Sequence, residues 1–467
     1  MNQSPAIIVL AAGKGTRMKS ALHKVLHPIA GRPMIEHLLG SVDQLSASRT
    51  VVVVGQWKEQ LEAALDGRGL TFAEQTEQLG TGHAVQQAQA ALAGHVGPVI
   101  LLFGDVPMVR AETMRAMVER LEADDKPGIV ALGFEPEDTK AYGRIITMGD
   151  DRIDKMVEHK DASPEERRCR MCNSGMMAVE GASLFDWLAE VDNDNAAGEY
   201  YLPDIVNIAK REGRRPVVVK GEEREVTGIN SRAEMAQAEA QWQAFKREEA
   251  MAAGVTLRAP ETVFFSWDTE LGADVTIEPF VQFGPGVRVA DGATIRAHSH
   301  LEGCDVGEGC EVGPYARLRP GARLERGAKV GNFVEIKNAV LGAGAKANHL
   351  TYVGDAAIGP RANLGAGTIT CNYDGFNKWP TIVGADAFVG SNSALVAPVV
   401  IGERAIVGAG SVVTKDVTAD AIAIARGQQK ELAGAAKSFR DKAGEQKKAG
   451  VGKRQVAAAL ESKEDQK

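Results

Sequence analysis

Nowhere in these 467 residues is there an apolar run of the roughly 18 residues that a membrane helix needs. The opening MNQSPAIIVLAAGKG has no basic stretch ahead of its short apolar run, so no export signal is expected of it. Basic side chains are outnumbered, 54 Lys and Arg against 62 Asp and Glu, for a formal net charge of −8. That argues against nucleic acid as the main partner and leaves local phosphate binding open. The five cysteines are odd in number and irregularly spaced, which indicates reduced thiols rather than a disulfide framework. Cys169 and Cys172 make a C-x-x-C with no second pair beside it, and neither zinc nor redox chemistry is expected there. These absences predict a soluble cytoplasmic protein without membrane insertion. The length predicts two or three domains.

What is present divides into two grammars. Residues 1–232 alternate short β-branched or leucine-rich runs (AIIVLAA, TVVVVG, PVILLFGDVP, GIVALGF) with helical stretches such as MIEHLLGSVDQL and TGHAVQQAQAALA. The alternation predicts an α/β domain, a mostly parallel Rossmann-like sheet covered on both faces. SRAEMAQAEAQWQAFKREEAMAAG then reads as a linker helix over residues 233–253. From Leu271 an apolar residue recurs every six positions, through Ile277, Phe283, Val289, Ile295 and Leu301. After a five-residue step the series runs from Val306 to Ile336, and it returns from Val383 to Val413. So short a period predicts a solenoid over residues 254–467, a three-sided prism with the apolar residue inside and glycines at the corners. Its hexapeptides resemble those of left-handed parallel β-helices. About eighteen residues between Leu364 and Val383 break the register, enough for a loop leaving the prism. The Lys-, Glu- and Ala-rich tail after Gly427 predicts mobile or weakly helical chain.

The glycine turn Gly13-Lys14-Gly15-Thr16-Arg17 is no Walker A loop, and Met18 stands where a dinucleotide fingerprint needs its third glycine. Alone it reads first as an ordinary strand-to-helix turn. Lys14, Arg17 and Lys24 add cations to the backbone N–H groups of the turn, and together these point to a polyphosphate. Asp105, in LLFGDVP, lies just past the carboxyl end of a strand, where open α/β sheets bind ligands. Beside a phosphate loop it points to a divalent cation.

In chain order, LAAGKGTRM, QLGTGHAV, FGDVP, AYGRI, VEHKDA, CNSGMM and GIN resemble the sugar-1-phosphate nucleotidyltransferases. With the hexapeptide half they are similar to the bacterial bifunctional family that joins N-acetylglucosamine-1-phosphate uridyltransferase to glucosamine-1-phosphate acetyltransferase, as far as about Arg426. The resemblance implies a nucleotide and sugar site of Leu10, Ala11, Ala12, Gly13, Lys24, Gln75, Gly80, Thr81, Phe103, Gly104 and Asp105. Gly143, Glu158 and Asn173 would take the sugar, and Asp105 and Asn230 would share Mg2+. Arg17 and Lys24 would neutralise the triphosphate of UTP, whose α-phosphorus the sugar phosphate attacks. An anionic nucleophile needs positioning more than a base, so His83 reads as a structural helix residue. Phe103 stands where some relatives carry a hydroxyl, and one polar contact is expected to be missing.

In the second half an amine must lose a proton as it attacks a thioester, and histidine suits that task. KANHLTYVG puts His349 and Tyr352 on one coil, and GNFVEIK puts Glu335 and Lys337 on the coil before. The resemblance makes His349 the base, with Glu335 to orient or polarise it. It gives Arg319, Lys337, Tyr352, Asn363 and Lys378 to the amino sugar phosphate. Ala366, Asn372, Tyr373, Ser391, Ala409 and Arg426 would contact acetyl-CoA, in a groove between subunits of a homotrimer. His298 and His300 read as solvent-exposed, not as metal ligands. The product would be UDP-N-acetylglucosamine for peptidoglycan, lipopolysaccharide and cell-envelope synthesis. On the residues alone, two rivals stay open: a nucleotidyltransferase whose β-helix only assembles it, and a non-enzymatic scaffold.

Overall fold

The computed structural model describes residues 4–139 and 141–450. In the first half, strands follow the order Val217–Lys220, Ile129–Phe134, Cys172–Glu180, Pro98–Phe103, Ala6–Leu10, Arg49–Val54 and Thr71–Glu74. Cys172–Glu180 runs antiparallel to both neighbours, and the other pairings on this path are parallel. Continuous apolar runs form these strands because helices cover both faces. Ile8 and Leu10 enter one core cluster while Ile7 and Val9 enter the other. TGHAVQQAQAALA does not form the single helix its composition predicts. It is helical over Thr81–Gln86 and resumes as a 3-10 turn at Ala90–Leu92. Val85, Ala88 and Leu92 stay buried through the break, where tighter turns replace the α-helical ladder: the Ala88 N–H donates to the Val85 carbonyl and the Gln89 N–H to the Gln86 carbonyl, each at 3.0 Å.

The helix Arg232–Ala252 leaves this domain with Ser231 as its cap, whose Oγ accepts from the Glu234 N–H at 3.2 Å. Halfway along, the buried Gln243 amide donates to the Phe265 carbonyl at 2.7 Å and accepts from the Phe265 N–H at 2.8 Å. A second tie comes from the turn between Pro28–Ile29 and Arg32–Pro33. The Ala30 carbonyl accepts from Trp267 N–H at 2.9 Å and from Ser266 Oγ at 3.2 Å, and Arg32 lies 4.3 Å above the Trp267 ring. Gly31 packs there with φ +81° and no room to spare, since a Cβ would lie 3.3 Å from both Pro285 and Ser266.

Beyond Val255 the chain winds into a parallel β-helix whose two- to seven-residue strands stack in three ladders. The six-residue series points inward, and Ile277, Ile295, Val312 and Val330 stack above one another in one ladder. One apolar column results. Two expectations are corrected. Many corners are not glycine: Phe280, His298, Tyr315 and Phe333 hold φ between 54° and 60°. A left-handed residue costs about 1–2 kcal/mol, and here the rings stack at 4.9, 4.8 and 5.2 Å, contacts each worth about 0.5–1.5 kcal/mol. His298 is exposed, as expected, but it belongs to this stack; His300 is half-buried on a strand. The register break is also narrower than it looked. Thr370, buried on the strand Ile369–Cys371, fills the inward place six residues after Leu364. Only then does the chain leave, as a short hairpin closed by the Trp379 N–H on the Asn372 carbonyl at 2.8 Å.

In the tail, Ala435–Lys448 is a helix with no buried residue; residues 451–467 lie outside the described residues. Among the described residues no helix is long and apolar enough to cross a membrane.

Candidate active sites

At the carboxyl ends of the first-half strands, one cleft is lined by Leu10, Ala11, Ala12, Gly13, Lys24, Gln75, Gly80, Thr81, Phe103 and Asp105. Gly104 backs it, donating its N–H to the Leu10 carbonyl at 2.9 Å. Gln78 and Glu199 line it too and escaped the sequence reading. Gln78 sits three residues after Gln75, and its amide donates to the Ala12 carbonyl at 2.6 Å. Gln75 is buried, with its amide nitrogen on the Gly80 carbonyl at 3.2 Å and 3.1 Å from His83 Nδ1. His83 therefore steadies the residue assigned to the pyrimidine. Gly80 is required by a close approach, for a Cβ there would lie 2.6 Å from the Tyr200 carbonyl at φ +117°.

Lys24, Asp105 and Asn230 come from three distant stretches of chain. The Lys24 ammonium forms an ion pair with Asp105 and donates to Asn230 Oδ1 at 3.0 Å. Ile229 N–H donates to the Asp105 carbonyl at 2.9 Å, which fixes the two backbones side by side. Lys14 and Arg17 are exposed on the glycine turn. The sugar residues also converge: Asn173 N–H donates to the Gly143 carbonyl at 2.9 Å, and a Cβ on Gly143 would lie 3.3 Å from Glu158 Oε1. Burial, then Asp161, Asp204 and Glu199, push the Glu158 carboxyl above its usual range. Phe103 turns its ring onto Gly175, where a Cβ would lie 2.8 Å from it.

On the β-helix, His349 is exposed, and its Nδ1 lies 2.7 Å from Asn332 Oδ1. Glu335 does not serve as its hydrogen-bond partner. It pairs with Arg319 at 2.8 Å, because Glu335 stacks on Arg317 and Tyr352 in a different ladder from His349. Asn332, the true neighbour, was missed although it stands one coil before His349 in register. The ladder continues from Lys346 to Asn363, Phe388 and Ile406. Three residues beyond these lie His349, Ala366, Ser391 and Ala409, so the predicted base heads the predicted acetyl-CoA positions. Arg426 donates to the Ala409 carbonyl at 2.6 Å. Across the corner, Lys378 above all, with desolvation and Arg319, pushes the Lys337 ammonium below its usual range, the mark of crowded cations. Asn372 donates to the Asp355 carboxylate at the root of the hairpin, and Tyr373 beside it is exposed.

Residues 7–170 match the MobA-like NTP transferase domain, and residues 380–415 match the hexapeptide repeat of succinyl-transferase. Fold and sites thus define a class: a nucleotidyltransferase sheet carried on a left-handed hexapeptide β-helix of the acyltransferase kind. Three relatives, each named bifunctional protein GlmU, match nearly end to end. That of Sphingopyxis alaskensis is 65% identical over 96% of this chain and 100% of its own. Those of Rhizorhabdus wittichii and Zymomonas mobilis are 61% and 54% identical, each over 93% of this chain and over 96% and 97% of their own. The chain belongs to the GlmU family. It is a bifunctional enzyme, a UDP-N-acetylglucosamine pyrophosphorylase and a glucosamine-1-phosphate N-acetyltransferase.

Proposed function

We propose that residues 254–467 acetylate glucosamine-1-phosphate first, and that residues 1–232, joined through the helix, then convert the product with UTP to UDP-N-acetylglucosamine and pyrophosphate. The observation that carries this reading is the column in which Asn332 and His349 head the acetyl-CoA positions, with the Arg319, Lys337 and Lys378 cations across the corner. The cations hold the sugar phosphate. His349 Nε2, its other nitrogen engaged by Asn332, takes the amine proton as nitrogen attacks the thioester carbon and CoA thiolate leaves. Base and cations lie on two faces of one chain, so a second copy would wall the groove; a homotrimer through the β-helix supplies it.

In the first half no base is needed. Gln75, Gly80 and Thr81 seat the uridine, Gly143, Glu158 and Asn173 seat the sugar, and Arg17 with Lys24 neutralises the phosphates. The Asp105 carboxylate and Asn230 amide oxygen are hard donors that suit Mg2+, which when bound neutralises charge on the transferring phosphate. UTP and acetyl-CoA as substrates place the work in the cytoplasm, and the product feeds envelope synthesis.

Mass spectrometry of products from glucosamine-1-phosphate, acetyl-CoA, UTP and Mg2+ tests the reading. UDP-N-acetylglucosamine should form only with all four present. His349→Ala should stop acetylation and spare uridylyl transfer to added N-acetylglucosamine-1-phosphate, and Asp105→Ala should do the reverse. Loss of both activities in either folded variant would overturn the two-site assignment.

A further inference from the structure

The position assigned to the divalent cation is already filled by a cation of the chain. Lys24 Nζ meets Asp105 Oδ2 and, at 3.0 Å, Asn230 Oδ1, and its side chain is only 11% exposed. One carboxylate oxygen and one amide oxygen converging on a single positive centre is a donor set that a hard divalent ion accepts. An ammonium satisfies the same oxygens by hydrogen bonds. The two cannot occupy it together, because like charges at contact distance in a half-dry cleft repel strongly. The lysine stem is fixed: a Cβ on Gly15 would lie 2.7 Å from Lys24 Cβ, 3.4 Å from Cγ and 3.5 Å from Cδ. The stem therefore passes under the glycine turn, and the ammonium end alone is left to swing between the acidic pair and whatever lies over that turn.

We propose that Lys24 is a placeholder for the divalent cation. In the empty enzyme it neutralises Asp105, and it moves onto the nucleotide phosphates when metal and nucleotide bind together. The inference rests on Asp105 and Asn230 being the metal pair. Metal alone must displace a bonded ammonium that has no other anion to go to, so it binds weakly. A triphosphate over the turn offers that anion, and the two ligands therefore favour each other through the lysine.

The test is Mn2+ affinity without nucleotide, from the electron paramagnetic resonance signal of free Mn2+, on the full-length protein. Removing the ammonium in Lys24→Met should tighten Mn2+ binding by about fivefold or more. Lys24→Gln, which keeps a polar end, should do the same if the methionine variant melts early. Unchanged or weaker Mn2+ binding in a folded variant would overturn the placeholder. Adding Asp105→Asn to Lys24→Met should abolish the gained affinity. If Mn2+ still bound as tightly, the assignment of the metal pair would fall, whatever the single variant had shown.

Discussion

An imidazole acting as a base needs one nitrogen free and the other held. At His349 the holding is done by a neutral amide, since Asn332 Oδ1 lies 2.7 Å from Nδ1. Accepting from Nδ1–H fixes the tautomer that leaves Nε2 unprotonated, as the substrate amine requires. Asn332→Ala should lower kcat for acetyl transfer by about tenfold with little change in KM, because it disturbs the base and not the sugar phosphate cations. Asn332→Asp keeps an acceptor and should restore most of the rate, which mere loss of folding would not allow. Steady-state kinetics of the three proteins decides the matter. Glu335 could not have been excluded from the sequence. It precedes His349 by 14 residues where Asn332 precedes it by 17, and only the ladder register shows that 17 is the full coil.

Within the β-helix the informative element is the strand Ile369–Cys371. Its inward residue is a threonine where the six-residue series wants an aliphatic side chain, and the reason is the hairpin that follows. Thr370 Oγ1 accepts from the Gly354 N–H at 2.8 Å and donates to the Gly354 carbonyl at 3.1 Å, so a side chain supplies bonding where the chain departs. Thr370→Val would improve the apolar pattern yet should destabilise the protein by about 1–3 kcal/mol, because it strips the partners from buried backbone groups. The midpoint of thermal or denaturant unfolding reads this directly; a variant as stable as wild type would mean that the hydroxyl bonds contribute little. The case shows how far the sequence could be read. Period six reported the prism and its interior residues, since burial imposes that spacing. It was blind to a polar residue chosen for one hydrogen bond, and to corners such as Tyr315, where ring stacking offsets an unfavourable φ. In the first half, AIIVLAA and PVILLFGDVP announced the sheet and Asp105; Gln78 opens the motif QLGTGHAV without declaring its own contact, and Glu199 carried no periodic or motif signal at all.

At the scale of the whole molecule, the two halves are joined where the uridylyl site is built. Asn230 immediately precedes the Ser231 cap of the helix Arg232–Ala252, and its own N–H donates to Glu234 at 2.6 Å. Lys24 belongs to the segment that runs into the Ala30–Gly31 turn. Both elements are anchored on the same stretch of the first coil, the helix through Gln243 on Phe265 and the turn through Ala30 on Ser266 and Trp267. The β-helix is therefore part of the scaffold that sets Lys24 against Asn230, although it supplies no residue to the cleft. Gln243→Ala removes one anchor by leaving both Phe265 backbone groups unpaired. The uridylyl reaction should then lose about 0.5–2 kcal/mol of transition-state stabilisation, with acetyl transfer near wild type because the His349 column lies several coils away. Measuring kcat/KM for each half-reaction on the same preparation separates the outcomes. Equal losses in both would indicate general unfolding, and no loss in either would mean that the first-half domain holds its metal pair without the coil beneath it.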